Sequence, residues 1–221
     1  MIEAAIDNIH IFWDNTNIFL GAIDTATQVE PTAPRYAVRV YWRNLYNLVV
    51  RERQAITKEI AGSVPPQAAD LWAYAEQMGF KTTLLHRVEN SFGILREQAV
   101  DEILHLRIAN TILSRRIPET IILLSGDGRE TPTGTSFPGQ CRLALNLGWK
   151  IEIYSWGVTF NSLKYGQLKD EFPDLVSISF LDEYYNSLTF LKAGTYWDLS
   201  SSGVRVEFTI PGRIVQPLML K

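Results

Sequence analysis

Three aspartates in this chain, Asp14, Asp101 and Asp127, stand where carboxylates could act together. Asp14 closes a short apolar run, Ile9-His-Ile-Phe-Trp13, and opens a polar cluster of Asn15, Thr16 and Asn17. Asp127 comes after a second run, Ile121-Ile-Leu-Leu124, across Ser125-Gly126. About five apolar residues ended by turn formers mark a buried strand, and a buried parallel strand delivers the residues at its C-terminal end to the rim where open α/β sheets bind ligands. Asp101 lies near the start of a long amphipathic stretch, with Glu97 four residues earlier on the same flank. A carboxylate at the edge of the apolar stripe of Val100 and Leu104 is costly to bury unless something pairs with it. A cation shared by the three acids would meet that cost. Oxygen ligands with neighbouring amides suit Mg²⁺ or Mn²⁺ rather than zinc. Taken singly, each acid has an ordinary alternative: Asp14 and Asp127 as helix caps or turn formers, Asp101 as a complement to a helix dipole. Their joint placement favours a shared site.

The elements that must bring these acids together alternate strand and helix. After the first strand, Gly21, Thr25, Thr27, Pro31 and Pro34 give 21–34 the look of a loop. A helix is expected over 36–50, with Arg35, Arg39 and Arg43 four apart on one side, either a solvated face or a ridge of phosphate contacts. A strand over 53–62, a helix over 67–78 stopped by Gly79, and a strand over 80–88 come next. The longest helix spans 96–115, ahead of Pro118. Then come a strand at 119–125, a Gly/Thr/Pro-rich loop at 126–136, a helix at 138–147 and a strand at 150–155. A short helix near 160–168, a strand near 175–180 and an amphipathic segment at 181–191 complete the alternation. The pattern predicts an α/β fold with a doubly wound, mostly parallel sheet between two helical layers. Residues 1–190 form the expected domain and 191–221 a short C-terminal β extension. In that extension 204–210 alternates with period two and Pro211-Gly212 turns it into 213–220, as a hairpin that covers a sheet edge or joins two copies of the chain.

Composition removes several classes. At 221 residues with 46% hydrophobic content the chain can build one large core. No apolar run nears the roughly 20 residues that span a bilayer. The first residues carry acids where a secretory signal carries Lys or Arg, so none is expected there. Cys141 is the single cysteine, which rules out a disulfide within the chain and points to a reducing cytoplasm. A net charge of −3 argues against bulk coating of nucleic acid, yet leaves room for an enzyme with a local acidic metal site. Gly126-x-Gly128 lacks the third glycine of a dinucleotide loop, and Asp14-Asn-Thr16 lacks the second Asp of a dehalogenase-type phosphotransferase. His10, His86 and His105 show no metal spacing. Trp13 and Trp156, at neighbouring strand ends, are either core or platforms for a nucleobase.

Three stretches in order, Ile11-Phe-Trp-Asp14-Asn-Thr-Asn17, Arg96-Glu-Gln-Ala-Val-Asp101-Glu102 and Leu123-Leu-Ser-Gly-Asp127-Gly128, resemble the motifs of the NYN domain family. This is a PIN-like ribonuclease fold met in LabA-like and meiosis-regulator-like proteins, and the resemblance runs over about residues 8–190. It implies a metal-dependent ribonuclease in which Asp14, Asp101 and Asp127 hold Mg²⁺ or Mn²⁺ and water attacks the phosphodiester. It further implies that Asn17 orients the first motif or a phosphate. Many members carry another Asp two places after the third motif's Asp. Here Arg129 stands in that place, leaving Glu97 or Glu130 as candidate replacements. Asn15, Arg39, Arg43, Ser125 and Arg129 are the expected contacts to RNA. The rival readings are a degenerate NYN module that binds RNA or a protein without cutting, and a phosphohydrolase of small nucleotides.

Overall fold

The structure, a computed structural model, describes residues 7–63, 69–85, 88–89, 95–96, 100–199 and 205–220. Glu97 and His86 lie outside the described residues. Strand β1 (Asn8–Asp14) leads directly into helix α1 (Asn15–Val29). Next come β2 (Val38–Val40), α2 (Trp42–Val50), β3 (Gln54–Ser63), α3 (Ala69–Gln77) and β4 (Lys81–Leu85). Two-residue strands β5 (Val88–Glu89) and β6 (Leu95–Arg96) pair with each other ahead of α4 (Val100–Ser114). Strand β7 (Thr120–Leu124), α5 (Phe137–Asn146), β8 (Lys150–Ser155), α6 (Ser162–Glu171) and β9 (Val176–Phe180) finish the main layers. A short helix α7 (Tyr185–Leu188) runs into β10 (Thr189–Leu191), and β11 (Gly194–Leu199) and β12 (Arg205–Ile210) close the described chain.

Six strands form one sheet in the order β4-β3-β1-β7-β8-β9, and every neighbouring pair is parallel. The chain therefore winds outward from β1 through β3 to β4, then returns to β7 and winds the other way. This is the doubly wound α/β fold expected from the alternation, with its switch point between β1 and β7. Side-chain alternation splits β1 between two cores. Ile9, Ile11 and Trp13 face α1, α2 and α3, while Phe12 faces α4, α5 and α6. All four are fully buried, each contributing about 1.5–3 kcal/mol of apolar transfer.

Several local expectations are corrected. Residues 21–29 continue α1 rather than forming a loop. Ile18, Gly21, Ala22, Thr25 and Ala26 repeat at helical spacing and are buried. Gly21 is small because a Cβ there would lie 2.5 Å from Cδ1 of Trp156, so the glycine serves helix-to-core approach, not a turn. The helix expected over 36–50 begins only at Trp42. Val38-Arg-Val40 alternates with period two and pairs antiparallel with 189–191, so Arg35, Arg39 and Arg43 share no helical ridge. The partner of the 205–210 strand precedes it. Gly194 faces Ile210 and Leu199 faces Arg205 in an antiparallel ribbon, while Arg213 makes a single antiparallel bridge back to Leu191 and 214–220 forms no strand. That tail is fastened by Arg213. Its guanidinium donates to Glu30 Oε1 (2.7 Å) and Oε2 (3.1 Å) and to the Thr189 carbonyl (2.8 Å), and lies over the Tyr185 ring. No helix of the described residues is long and apolar enough to cross a membrane.

Candidate active site at the sheet switch point

A cleft of about 780 Å³ opens at the C-terminal rim of the sheet, where β1 and β7 diverge. Asp14, Asn17, Asp101, Asp127, Arg129 and Glu130 line it, together with Asp24, Glu102 and the apolar side chains of Leu20, Val158 and Phe160. The three aspartates singled out in sequence therefore meet on one surface although up to 113 positions separate them (127 − 14).

Asp14 is the fixed point. It ends β1 and caps α1, one oxygen accepting the Asn17 N–H at 3.0 Å and the other the Ser125 hydroxyl at 3.0 Å. The capping role and the site role thus coexist in one side chain. Only 4% of it is exposed. Burial, then the negative field of Asp101, then that of Asp127, push its carboxyl up from 3.8 to about 8, against the two hydrogen bonds. Such a group is protonated at neutral pH unless positive charge arrives. Asp127 is held differently. Its Oδ1 accepts the Arg129 N–H at 3.2 Å, and the Arg129 guanidinium lies 3.5 Å from its Oδ2. Arg129 is 83% exposed, so this pair is screened and weak. Asp101 sits in the first turn of α4 and is half-buried. Asn17 completes the floor with a buried Oδ1 that has no partner among the described residues.

This donor set fits a hard divalent cation: three carboxylates, one of them deeply buried, plus one unsatisfied amide oxygen. Among the described residues no three His, Cys, Asp or Glu side chains close into a ready-made cage. The acids share a cleft and a field rather than a common point. Glu130 lines the cleft as a candidate further ligand, while Glu97 lies outside the described residues.

The expected RNA contacts divide. Arg129 lines the cleft. Ser125 does not reach substrate, because it is fully buried and spends its hydroxyl on Asp14. Asn15 is not on the cleft lining. It is half-buried near Gly62. Arg39 donates to the Val38 carbonyl in the β2 strand, and Arg43 hydrogen-bonds Tyr74, so neither lies on the cleft. Trp13 and Trp156 are both fully buried, the latter donating to the Ile18 carbonyl, so neither is a base platform. They are core.

Sequence reasoning missed several neighbours of the site. Asn161 caps α6 and donates to the Asp127 carbonyl at 3.1 Å, while Lys164 donates to the Gly128 carbonyl at 2.9 Å. Gly126 is required where it stands, since a Cβ would fall 1.9 Å from the Ser155 hydroxyl. Tyr165 and His105 are buried beside the acids, each with one polar atom lacking a partner among the described residues. The i, i+4 spacing of Asp101 and His105 was the available signal for the second. His105 accepts or donates at Nδ1 with Thr135, which ties the 131–136 loop to α4. Burial pushes its pKa down to about 4, against the opposing fields of Glu102 and Asp127. Its folded value lies below the usual 6.5, so the stability linked to it is present above pH 6.5 and lost as pH falls through 4. His105→Gln, which takes up no proton, should show a shallower loss of melting temperature between pH 7 and 4.5 than the parent protein.

No family model matches the chain, and no curated protein does. Among solved structures, a protein of unknown function from Vibrio parahaemolyticus, VPA0982, is similar with a TM-score of 0.57 at 14% sequence identity. The match covers 82% of this chain and 98% of that one, and at such identity the likeness shows the fold alone.

Proposed function

We propose that this protein is a Mg²⁺- or Mn²⁺-dependent ribonuclease that hydrolyses phosphodiester bonds in RNA. The observation that carries this reading is the buried Asp14, raised to about 8 by burial and by Asp101 and Asp127 on the same cleft. Gathering a buried carboxylate with two further acids costs free energy that a bound cation would offset. The residues divide the work. Asp14, Asp101 and Asp127 offer the carboxylate oxygens, and Ser125 and the Asn17 N–H hold Asp14 in one rotamer. Asn17 Oδ1 is a buried acceptor for a water or a ligand N–H or O–H. Arg129, swinging from Asp127, can meet a phosphate oxygen at the mouth. Val158, Leu20 and Phe160 form an apolar wall against which a base can rest. When bound, the divalent ion supplies an activated water and neutralises charge on the phosphate and the leaving oxygen.

The acids of the lining also explain why the cation must come first. Asp24, Glu102 and Glu130 join the three aspartates there, so an RNA backbone is repelled until positive charge enters. One test combines binding and turnover: titration calorimetry with MnCl₂, then incubation with a labelled single-stranded oligoribonucleotide. Mn²⁺ uptake and Mn²⁺-dependent cleavage are expected together. A second reading, a module that binds RNA without cutting it, draws on the Arg129–Asp127 pair, which sets a cation against the third acid. That reading predicts oligonucleotide binding with no Mn²⁺ uptake dependent on Asp127.

A further inference from the structure

We infer that Tyr165 is a positioning residue of this site, its phenol hydroxyl donating to the Asp127 carboxylate from behind and fixing that carboxylate for the cation. The inference rests on the cation-binding reading above. Tyr165 is fully buried on α6, in a pocket shaped for an aromatic ring. Phe160 stacks on it at 5.3 Å with an interplanar angle of 16°, and Phe137, Cys141 and Leu168 belong to the same apolar cluster. Phenylalanine would satisfy all of these neighbours. The hydroxyl is the exception: it has no hydrogen-bond partner among the described residues. A buried O–H without an acceptor is unfavourable, and its presence asks for one.

Besides the Cys141 thiol, the groups within electrostatic reach are the site's own acids, which alone offer oxygen acceptors. Burial first, then Cys141, and then the fields of Asp127, Asp14 and Asp101 keep the Tyr165 proton on well above the usual range. The phenol is therefore a fixed donor, never a competing anion. Its helix is also stapled to the turn that carries Asp127. The Asn161 N–H bonds the Gly126 carbonyl at 2.7 Å, its amide bonds the Asp127 carbonyl at 3.1 Å, and Lys164 holds the Gly128 carbonyl at 2.9 Å. The ring is thereby held beside the backbone of that turn, about which the Asp127 side chain can rotate. The Asp127 oxygens face Arg129, by the backbone N–H and the guanidinium. Drawn back toward Asp14 and Asp101, the carboxylate meets the phenol O–H. Groups that hold metal-ligating carboxylates in this way set affinity without touching the metal.

The experiment is titration calorimetry of the full chain with MnCl₂, on the parent protein and on Tyr165→Phe, with melting curves in EDTA. Tyr165→Phe should melt at the same or a higher temperature without metal, yet bind Mn²⁺ about 10–100-fold more weakly. Equal Mn²⁺ affinity in the two proteins overturns the role of Tyr165 and leaves the cation site standing. A markedly lower melting temperature in EDTA also overturns it, because the hydroxyl would then have a partner independent of the cation. No Mn²⁺ uptake by the parent protein overturns both readings.

Discussion

Asp14→Asn, freed of metal and held at pH 8, is expected to melt at a higher temperature than the parent protein, and to lose RNA cleavage when Mn²⁺ is restored. The stability half comes from linkage. The Asp14 carboxyl has an ordinary value of 3.8 and is raised to about 8 in the fold, so the folded state binds the proton more tightly than the unfolded one. The stability this confers is complete below about pH 3.8 and is lost as pH rises through 8. Asparagine has nothing to lose. It keeps the cap, since its carbonyl can accept the Asn17 N–H, and its amide can donate to the Ser125 hydroxyl. The gap between the two melting curves should therefore widen from pH 4 to pH 8.5. Taking the difference cancels the opposite slope of His10 and His105, whose lowered values act on both proteins.

Added Mn²⁺ should then reverse the order. A ligand at 100 times its dissociation constant stabilises the state that binds it by about 2.7 kcal/mol, which the parent protein gains and the variant does not. Cleavage should fall by more than the roughly 100-fold that loss of a mere supporting contact reaches. Undiminished Mn²⁺-dependent cleavage by Asp14→Asn would sink the ribonuclease proposal.

The second large effect is on the fold. Trp13→Ala is expected to cost about 3–5 kcal/mol, a drop on the order of 10 °C in melting temperature for a chain of this size. Trp13 is fully buried and packs against Trp42 at 5.0 Å and Phe80 at 5.7 Å, with Trp42 in turn against Trp72. Rigid rings packed against one another collapse poorly around a hole. Below its melting point the variant should still bind a labelled oligoribonucleotide. Loss of RNA binding with an unchanged melting curve would instead make Trp13 a base platform.

The residues most legible in the sequence are those whose neighbours in the chain already state their surroundings. Asp14 and Asp127 each come after a buried strand, and the alternation of strand and helix leaves few ways to wind the sheet. The rim site is legible for that reason. Inferences from residue type fail where the facing surface is unknown. Gly21 and Thr25 read as loop, yet they are the small residues that let α1 approach Trp156 and the core. Ser125 reads as a substrate contact, yet the sheet buries it under Asp14. Arg39 and Arg43 read as one ridge only if a helix runs through residues that form a strand. The strand at 205–210 reads as the first half of a hairpin turning at Pro211-Gly212, though its partner lies behind it. Tyr165 and Asn161 leave no trace, since nothing local to α6 says that it docks on the 126–128 turn. Such information exists only once β7 and β8 are side by side.

The switch point also bears on synthesis. Asp14 lies at the end of the first strand, but the turn bearing Asp127 is pinned by α6, which comes after β8, the fifth strand of the sheet in chain order. A polypeptide still emerging from the ribosome carries the first carboxylate early and the framework for the last one late. On the ribonuclease reading, a copy that stops short of α6 is harmless to the message that encodes it, and cutting power arrives only once that helix has been translated.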